Sequence, residues 1–378
     1  MQYNDFKGEK ISALGFGLMR LPVIDGDQAK VDKEALREMI LYAVGNGVNY
    51  YDTAYPYHNG FSEKTLGEIA AEEGLRDKIN IATKLFTLMM NSPNFSPEAM
   101  MTEQLERLKA ERIDFYLMHG LSMDKWVTLR DKFDIINFMD RAKKSGRIRY
   151  AGFSFHDDTP AFKAILDDYD WDFAQIQYNY ADTEIQAGDE GFEYARQKKV
   201  PLAIMEPIKG GNLIFPESDE VKAIIKEGNF GYESTAELAL RFVADKKGLL
   251  TVLSGMGTME QVKENIAIFD RAAVGCFTPA ENEAVEKIKK YLIREAAIPC
   301  TDCRYCTEGC PNKINIPRAF SIFNQAKKYG NRQAGMRDYN RSCTNLKDCT
   351  ECRACADACP QQLDIPELLK GVVDYFEA

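Results

Sequence analysis

Eight of the chain's ten cysteines fall into two copies of one spaced run: Cys300, Cys303, Cys306 and Cys310-Pro311, then Cys349, Cys352, Cys355 and Cys359-Pro360. Thiolates that converge on one point hold a soft metal centre, and their spacing discriminates among such centres. Structural zinc usually takes two separated C-x2-C knuckles. Three evenly spaced cysteines and a distal Cys-Pro match the C-x2-C-x2-C-x3-C-P run of cubane iron-sulfur ligation. Given twice, the run predicts two 4Fe-4S clusters, with zinc or a disulfide framework as the alternatives. The end of the chain is therefore expected to carry electrons one at a time.

Cys276 alone precedes residue 300, and Cys343 is the tenth. A nearly thiol-free stretch followed by a thiol-dense one puts an expected domain boundary near 295, giving domains 1–294 and 295–378. At 378 residues the chain suits one large barrel plus a small module. The net charge of −10, from 58 acidic against 48 basic residues, lacks the basic excess of a nucleic-acid binder. Met1-Gln2-Tyr3-Asn4-Asp5 opens no apolar h-region, and no uninterrupted apolar run approaches the ~18 residues of a membrane span. Reduced thiols without an export signal lead to an expectation of the cytoplasm, with no membrane and no nucleic-acid partner.

Short β-rich apolar runs alternate with amphipathic helical stretches from residue 11 to 254, the pattern of βα units closing a parallel sheet. The eight runs are 14–21, 48–53, 79–84, 113–119, 148–154, 173–178, 200–206 and 249–254, with helices at 33–44, 98–109, 235–245 and 259–269. Eight such units predict a TIM (β/α)8 barrel, here followed by a small α-helical iron-sulfur domain. A doubly wound open sheet is the alternative, but no G-x-G-x-x-G follows the first strand; Gly15-Phe16-Gly17 lies within a strand pattern. Beyond the barrel a helix over 279–293, about 22 Å long, would return the chain toward the C-terminal ends of the strands. Another helix is expected over 317–330, inserted between the cysteine runs.

Barrel chemistry sits at the C-terminal ends of the strands. Three successive runs end in Asp52, Lys84 and His119, and Tyr57 follows in the loop after Asp52. A tyrosine hydroxyl has an unperturbed pKa near 10, and a neighbouring ammonium eases formation of its anion. Lys84 is placed to supply that charge, Asp52 to hold Lys84, and His119 to donate to a substrate oxygen. The set suits delivery of a proton to a carbonyl being reduced. Singly, each residue also fits a structural ion pair or a hydrogen-bonded core position. Tyr55 competes with Tyr57, and His58 and His156 are expected beside the site or on the surface. In the loop after the fourth strand, Trp126 suggests an apolar wall, with core packing as the alternative.

Over residues 1 to about 294 the chain resembles the aldo-keto reductases. The resemblance rests on Gly47-Val48-Asn49-Tyr50-Tyr51-Asp52-Thr53-Ala54, Glu63, Gly67, Ala82-Thr83-Lys84, Leu117-Met118-His119, Gly152-Phe153-Ser154 and Glu264-Asn265, in that order. With its tail the chain is similar to those bacterial and archaeal members that end in a dicluster ferredoxin-like domain. The resemblance implies a catalytic tetrad of Asp52, Tyr57, Lys84 and His119, with Tyr57 as general acid. It also implies a nicotinamide site touching Met19, Ser154, Gln175, Met205, Glu264 and Asn265. It implies, as in two-cluster ferredoxins, that Cys300, Cys303, Cys306 and Cys359 hold one cluster and Cys349, Cys352, Cys355 and Cys310 the other. The cofactor positions depart from the family: Phe155 stands for an Asn, Met205 for a stacking Tyr, and Gly255 and Gln261 for the Lys and Arg that hold the NADP 2′-phosphate. About three residues are inserted between Tyr57 and Glu63.

A nicotinamide delivers two electrons together, whereas a cluster passes one, so joining them requires an intermediary such as a flavin. Gly210-Gly211, after the seventh strand, suits the phosphate of either cofactor. Three functions are consistent with the sequence. One is a carbonyl reductase using NADP or NAD on a small-molecule substrate, its clusters an electron port. Another is a reductase fed by a ferredoxin-type partner through flavin or directly. The last is a redox-sensing scaffold without catalysis.

Overall fold

A computed structural model of the chain describes residues 1–211, 213–214, 218–232, 234–294, 297–298, 300, 305–328, 332–359 and 362–377. It divides into two compact units, Met1–Asn282 and Glu283–Ala378. The division falls within the helix Pro279–Arg294.

In the first unit, eight parallel strands close a barrel: β3 (Leu14–Gly17), β4 (Tyr50–Asp52), β5 (Asn80–Leu85), β6 (Ile113–Leu121), β7 (Ile148–Phe155), β8 (Phe173–Gln177), β9 (Leu202–Met205) and β10 (Leu249–Ser254), with β10 pairing back onto β3. Each falls within or overlaps its expected run. Helices intervene as the amphipathic stretches predict: Asp32, Ser96, Ser234 and Thr258 each cap a helix by accepting from a backbone N–H. Gly15 has a packing reason. A Cβ there would stand 2.7 Å from Leu253 Cδ2 and 2.9 Å from Thr251 Oγ1, inside the β10–β3 seam.

The sequence reading passed over an antiparallel hairpin, β1 (Tyr3–Phe6) and β2 (Glu9–Ser12). Its signal is local: Lys7 and Gly8 form a two-residue loop with φ of 48° and 88°, the primed turn that suits the twist of a hairpin. The hairpin places Phe6 and Ile11 in one buried cluster with Tyr50, Phe115, Tyr150 and Phe173 from the barrel strands. The Phe6 ring lies 5.6 Å from that of Phe115 and 4.7 Å from that of Tyr150. Gln2 N donates to Phe269 O, so the start of the chain is fastened to the end of the last barrel helix.

The second unit is helical. Ile316–Lys328 falls within the expected 317–330 stretch except for its first residue, but a further helix, Arg332–Ser342, follows it, and Ile365–Glu377 packs on both. Tyr339 and Phe376 stack at 4.9 Å over a core containing Phe320, Leu346 and Leu369. The polar face of Arg332–Ser342 leaves only Gly335 and Tyr339 buried among its residues, too sparse a stripe to read from sequence. Among the described residues no helix is long and apolar enough to cross a membrane.

Phe6→Ala removes a ring that packs on the barrel aromatics Phe115 and Tyr150, a loss of about 3 kcal/mol for a buried Phe. The thermal midpoint of the barrel should fall by roughly 5–10 °C. An unchanged midpoint in calorimetry would show that the hairpin is not part of the cooperative core.

Candidate active site

Parallel register sets the positions of the strand-end residues. Asp52 pairs with Ala82, and Lys84, two residues on, pairs with Leu117; His119 lies two residues beyond that. Side chains alternate with a period of two along a strand, so Asp52, Lys84 and His119 share the face of the buried residues Tyr50, Ala82 and Leu117 and rise stepwise toward the C-terminal end. Lys84 Nζ donates to Asp52 Oδ1 at 2.6 Å and to Thr53 O at 2.8 Å. The two side chains are 1 % and 5 % exposed. Lys84 Nζ lies 5.1 Å from the centre of the Tyr57 ring, and the Tyr57 and His119 rings meet edge-on at 6.0 Å. The four residues named from sequence are therefore together in space.

Lys84 does draw the Tyr57 hydroxyl's pKa down, but desolvation by the packed atoms around it is larger, and the result lies above the ordinary tyrosine value. Tyr57 is held as a neutral donor and not as a partial anion. Burial drives the Asp52 carboxyl up against the opposing pull of Lys84. For Lys84 burial acts downward, but Asp52 and Tyr57 override it and hold the ammonium above its usual range. The pKa of His119 is pushed down to about 3, first by burial and then by Lys84, His156 and Lys125, so its imidazole is neutral, and among the described residues its buried Nδ1 has no hydrogen-bond partner.

Tyr55 is occupied elsewhere: its hydroxyl donates to Glu103 at 2.9 Å and its ring lies 4.0 Å from the Arg107 guanidinium. Beneath the tetrad, buried Glu63 accepts from Thr83 Oγ1 at 2.6 Å, Gln104 Nε2 at 2.7 Å and Arg107 Nη1 at 3.0 Å, and Gln104 also donates to Lys84 O. That network fixes the strand carrying Lys84. The insertion after Tyr57 makes a tight turn, with His58 and Asn59 left-handed at φ 50° and 55°. His58 is buried, not superficial. Its Nε2 accepts from Leu21 N at 3.1 Å and its Nδ1 faces Gln28 O, tying the loop after β3 to the loop of Tyr57. Trp126 is not a pocket wall. It is fully buried, donates to Asp168 at 2.7 Å and packs on Trp171.

The expected cofactor positions divide into two groups. Ser154 is buried and its Oγ accepts from Gly120 N at 2.7 Å; Gln175 is buried with Oε1 unpartnered and Nε2 3.5 Å from Met205 Sδ. A buried orphan acceptor fits a carboxamide donor. Met19 is 57 % exposed, and Gly210 and Gly211 take φ of 65° and 96° in a turn after β9. Phe155, by contrast, packs its ring 5.1 Å from Phe162. Asn265 is likewise spent in part on Ser254 Oγ, at 2.8 Å, and Glu264 accepts from Ser234. Sequence reasoning missed Arg20. A Cβ on Gly210 would lie 2.8 Å from its Nη2, and one on Gly255 3.5 Å from its Nη1, so the guanidinium spans the two glycine loops. The available signal was its place directly after Met19 at the end of the first strand run.

In the second unit, Cys310 from the first run and Cys349, Cys352 and Cys355 from the second line one cavity. None of these four is in a disulfide among the described residues. Among the described residues no three Cys, His, Asp or Glu are disposed to hold a single ion. The four-thiol donor set fits a cluster. Of the other set, Cys306 is buried, Cys300 and Cys359 pack on the same core, and Cys303 lies outside the described residues.

Comparison with known proteins also gives two parts. The profile of a 4Fe-4S dicluster domain matches residues 299–363, and that of the aldo/keto reductase family residues 13–289. L-galactose dehydrogenase of Arabidopsis thaliana is 27 % identical over 286 residues, covering 69 % of this chain and 85 % of that protein. The NADH-specific methylglyoxal reductase of Escherichia coli is 25 % identical over 300 residues, covering 68 % and 89 %. An aldo-keto reductase from Bacillus halodurans in its holo form, 24 % identical, superposes with a TM-score of 0.60 over 76 % of this chain and 95 % of that one, which speaks for the fold. With a closed barrel carrying Asp52, Tyr57, Lys84 and His119 at its strand ends and a profile match across nearly its whole first unit, the chain belongs to the aldo/keto reductase family of oxidoreductases.

Proposed function

We propose that the barrel reduces the carbonyl of a small molecule, with Tyr57 giving the proton, in a protein whose C-terminal unit carries two 4Fe-4S clusters. The observation that carries this reading is the buried Lys84–Asp52 pair beside a neutral Tyr57 and a neutral His119. A nicotinamide supplies hydride when bound, and clusters supply single electrons. As charge develops on the carbonyl oxygen, the Tyr57 O–H transfers its proton there, and the fixed Lys84 ammonium stabilises the phenolate left behind. His119, neutral, donates to or accepts from the same oxygen without a competing charge. Asp52 keeps Lys84 protonated and in place.

Gln175 Oε1 and Ser154 are assigned to the nicotinamide carboxamide, with Met19 and Met205 bordering the ring and Glu264 and Asn265 the adenine. Arg20, with Gly210 and Gly211, is assigned to the dinucleotide's phosphates. It supplies a cation near the position where Gly255 replaces the family's Lys. A reducing compartment, the cytoplasm, and a ferredoxin-type partner for the clusters complete the reading.

Tyr57→Phe should lower carbonyl reduction at least about a hundredfold, the lower end for general acid catalysis, while nicotinamide binding measured by fluorescence is retained. Because the pKa of His119 is depressed to about 3, the pH–rate profile should show no limb near 6.5 from this group. Loss of rate is expected only on the alkaline side, where Tyr57 or Lys84 gives up its proton. A Tyr57→Phe enzyme with wild-type turnover would remove the assigned donor.

For Arg20→Ala the dissociation constant of NADPH, titrated calorimetrically, should rise about tenfold, the scale of one lost charge-assisted bond at a partly exposed site. No change would place the phosphates elsewhere.

Anaerobically prepared Cys310→Ala should hold about half the wild-type iron, and Cys343→Ala all of it, since Cys343 lies buried in the helical core and outside the ligand cavity. Iron analysis with the roles of the two cysteines reversed would overturn the ligand assignment.

A further inference from the structure

Lys125 is a half-buried lysine in the first turn of the helix Met123–Phe133, directly above the strand end that carries His119. Its Nζ donates to the backbone oxygen of Gly120 at 2.6 Å, and among the described residues no carboxylate lies within ion-pair distance of it. The nearest attraction is to Asp157, whose two oxygens are already occupied by Met123 N at 3.0 Å and Asp158 N at 2.9 Å. Burial accordingly lowers the pKa of Lys125. A side chain on Gly120 would come within 3.8 Å of Lys125 Nζ and 3.7 Å of the His156 ring. The absent side chain, at a φ of 59°, keeps the space between the two groups open, one residue from His119.

His156 is oriented by a chain of defined polarity. Asp182 Oδ2, only an acceptor, receives Gln177 Nε2 at 2.9 Å; Gln177 Oε1 receives Gln186 Nε2 at 3.1 Å; Gln186 Oε1 therefore faces His156 Nδ1, 3.2 Å away, as an acceptor. The proton of neutral His156 sits on Nδ1, and Nε2 is the nitrogen outside the chain. An anion beside Lys125 would favour a second proton on Nε2, adding another donor. Lys84 and Lys125 both act on His119 in the same direction, and the one carboxylate in the tetrad, Asp52, is bound by Lys84.

We propose that Lys125, with His156 beside it, receives the carboxylate of the substrate, so that the preferred substrates are carbonyl compounds carrying a carboxylate. Lys125 is here a binding residue that sets specificity and takes no part in proton or hydride transfer. This rests on the reading of the barrel as a carbonyl reductase.

Two measurements on the full-length protein keep the readings separable. The first is the ratio of kcat/KM for succinic semialdehyde to that for butanal, a neutral aldehyde of the same chain length. Wild type should favour the charged aldehyde at least tenfold; Lys125→Gln should bring the ratio close to one, chiefly through the KM of succinic semialdehyde, and Lys125→Arg should restore most of it. A wild-type preference for butanal, or a ratio unmoved by Lys125→Gln, overturns the proposal. The second is calorimetric binding of succinate, which cannot be reduced. Binding weakened at least tenfold in Lys125→Gln upholds the anion site even if neither aldehyde turns over, an outcome that would instead remove the reductase reading. Equal succinate binding by the two proteins, or none by wild type, overturns the anion site.

Discussion

The Lys84–Asp52 pair is the interaction on which the site depends. Two opposite charges with almost no exposure stand at 2.6 Å on neighbouring strands. Pairs of this kind offset their own desolvation only when geometry is tight and the remaining polar atoms are satisfied, and losing one partner typically costs about 3–5 kcal/mol. Here Thr53 O takes a second Lys84 proton. Among the described residues Asp52 Oδ2 has no partner, an unsatisfied buried atom of the sort that clusters where structure serves chemistry. The packing that makes the pair costly also keeps Tyr57 protonated and His119 neutral, so one constraint sets the protonation state of all four side chains.

Holding that geometry takes more than the four residues. Glu63 receives three donors below Lys84, and Arg107 bridges Glu63 to Glu103 while covering Tyr55. His58 stitches the first two loops together. The strand register places the tetrad; this layer of buried hydrogen bonds keeps it from relaxing.

How much of this was legible depended on the range of each interaction. The eight strands follow from apolar runs of period two, and the tetrad from strand ends; both are local or periodic signals. The hairpin β1–β2 was missed because it is short and partly polar, with Phe6 and Ile11 its only deeply buried apolar residues, and its value comes from partners more than a hundred residues away, such as Phe115 and Tyr150. Trp126 fits either a wall or core packing in sequence, because a lone Trp carries no mark of its Asp168 partner. Arg20 and Gly210 come together across nearly the whole barrel, which no window can see. The sign of the Tyr57 shift was also beyond sequence, since it turns on packing density around the hydroxyl outweighing a named charge.

The barrel's closure has a consequence in time. β3 is bounded on one side by β4 and on the other by β10, so residues 14–17 wait for residues 249–254 before their second edge is covered. At about 5–20 residues per second of synthesis, the interval is roughly 10–50 s. During it the nascent chain carries an open, largely apolar sheet edge while the strands bearing Asp52, Lys84 and His119 are already made. An exposed edge of that kind is a template for pairing with other chains, so β3 stays open to such pairing until β10 has been made.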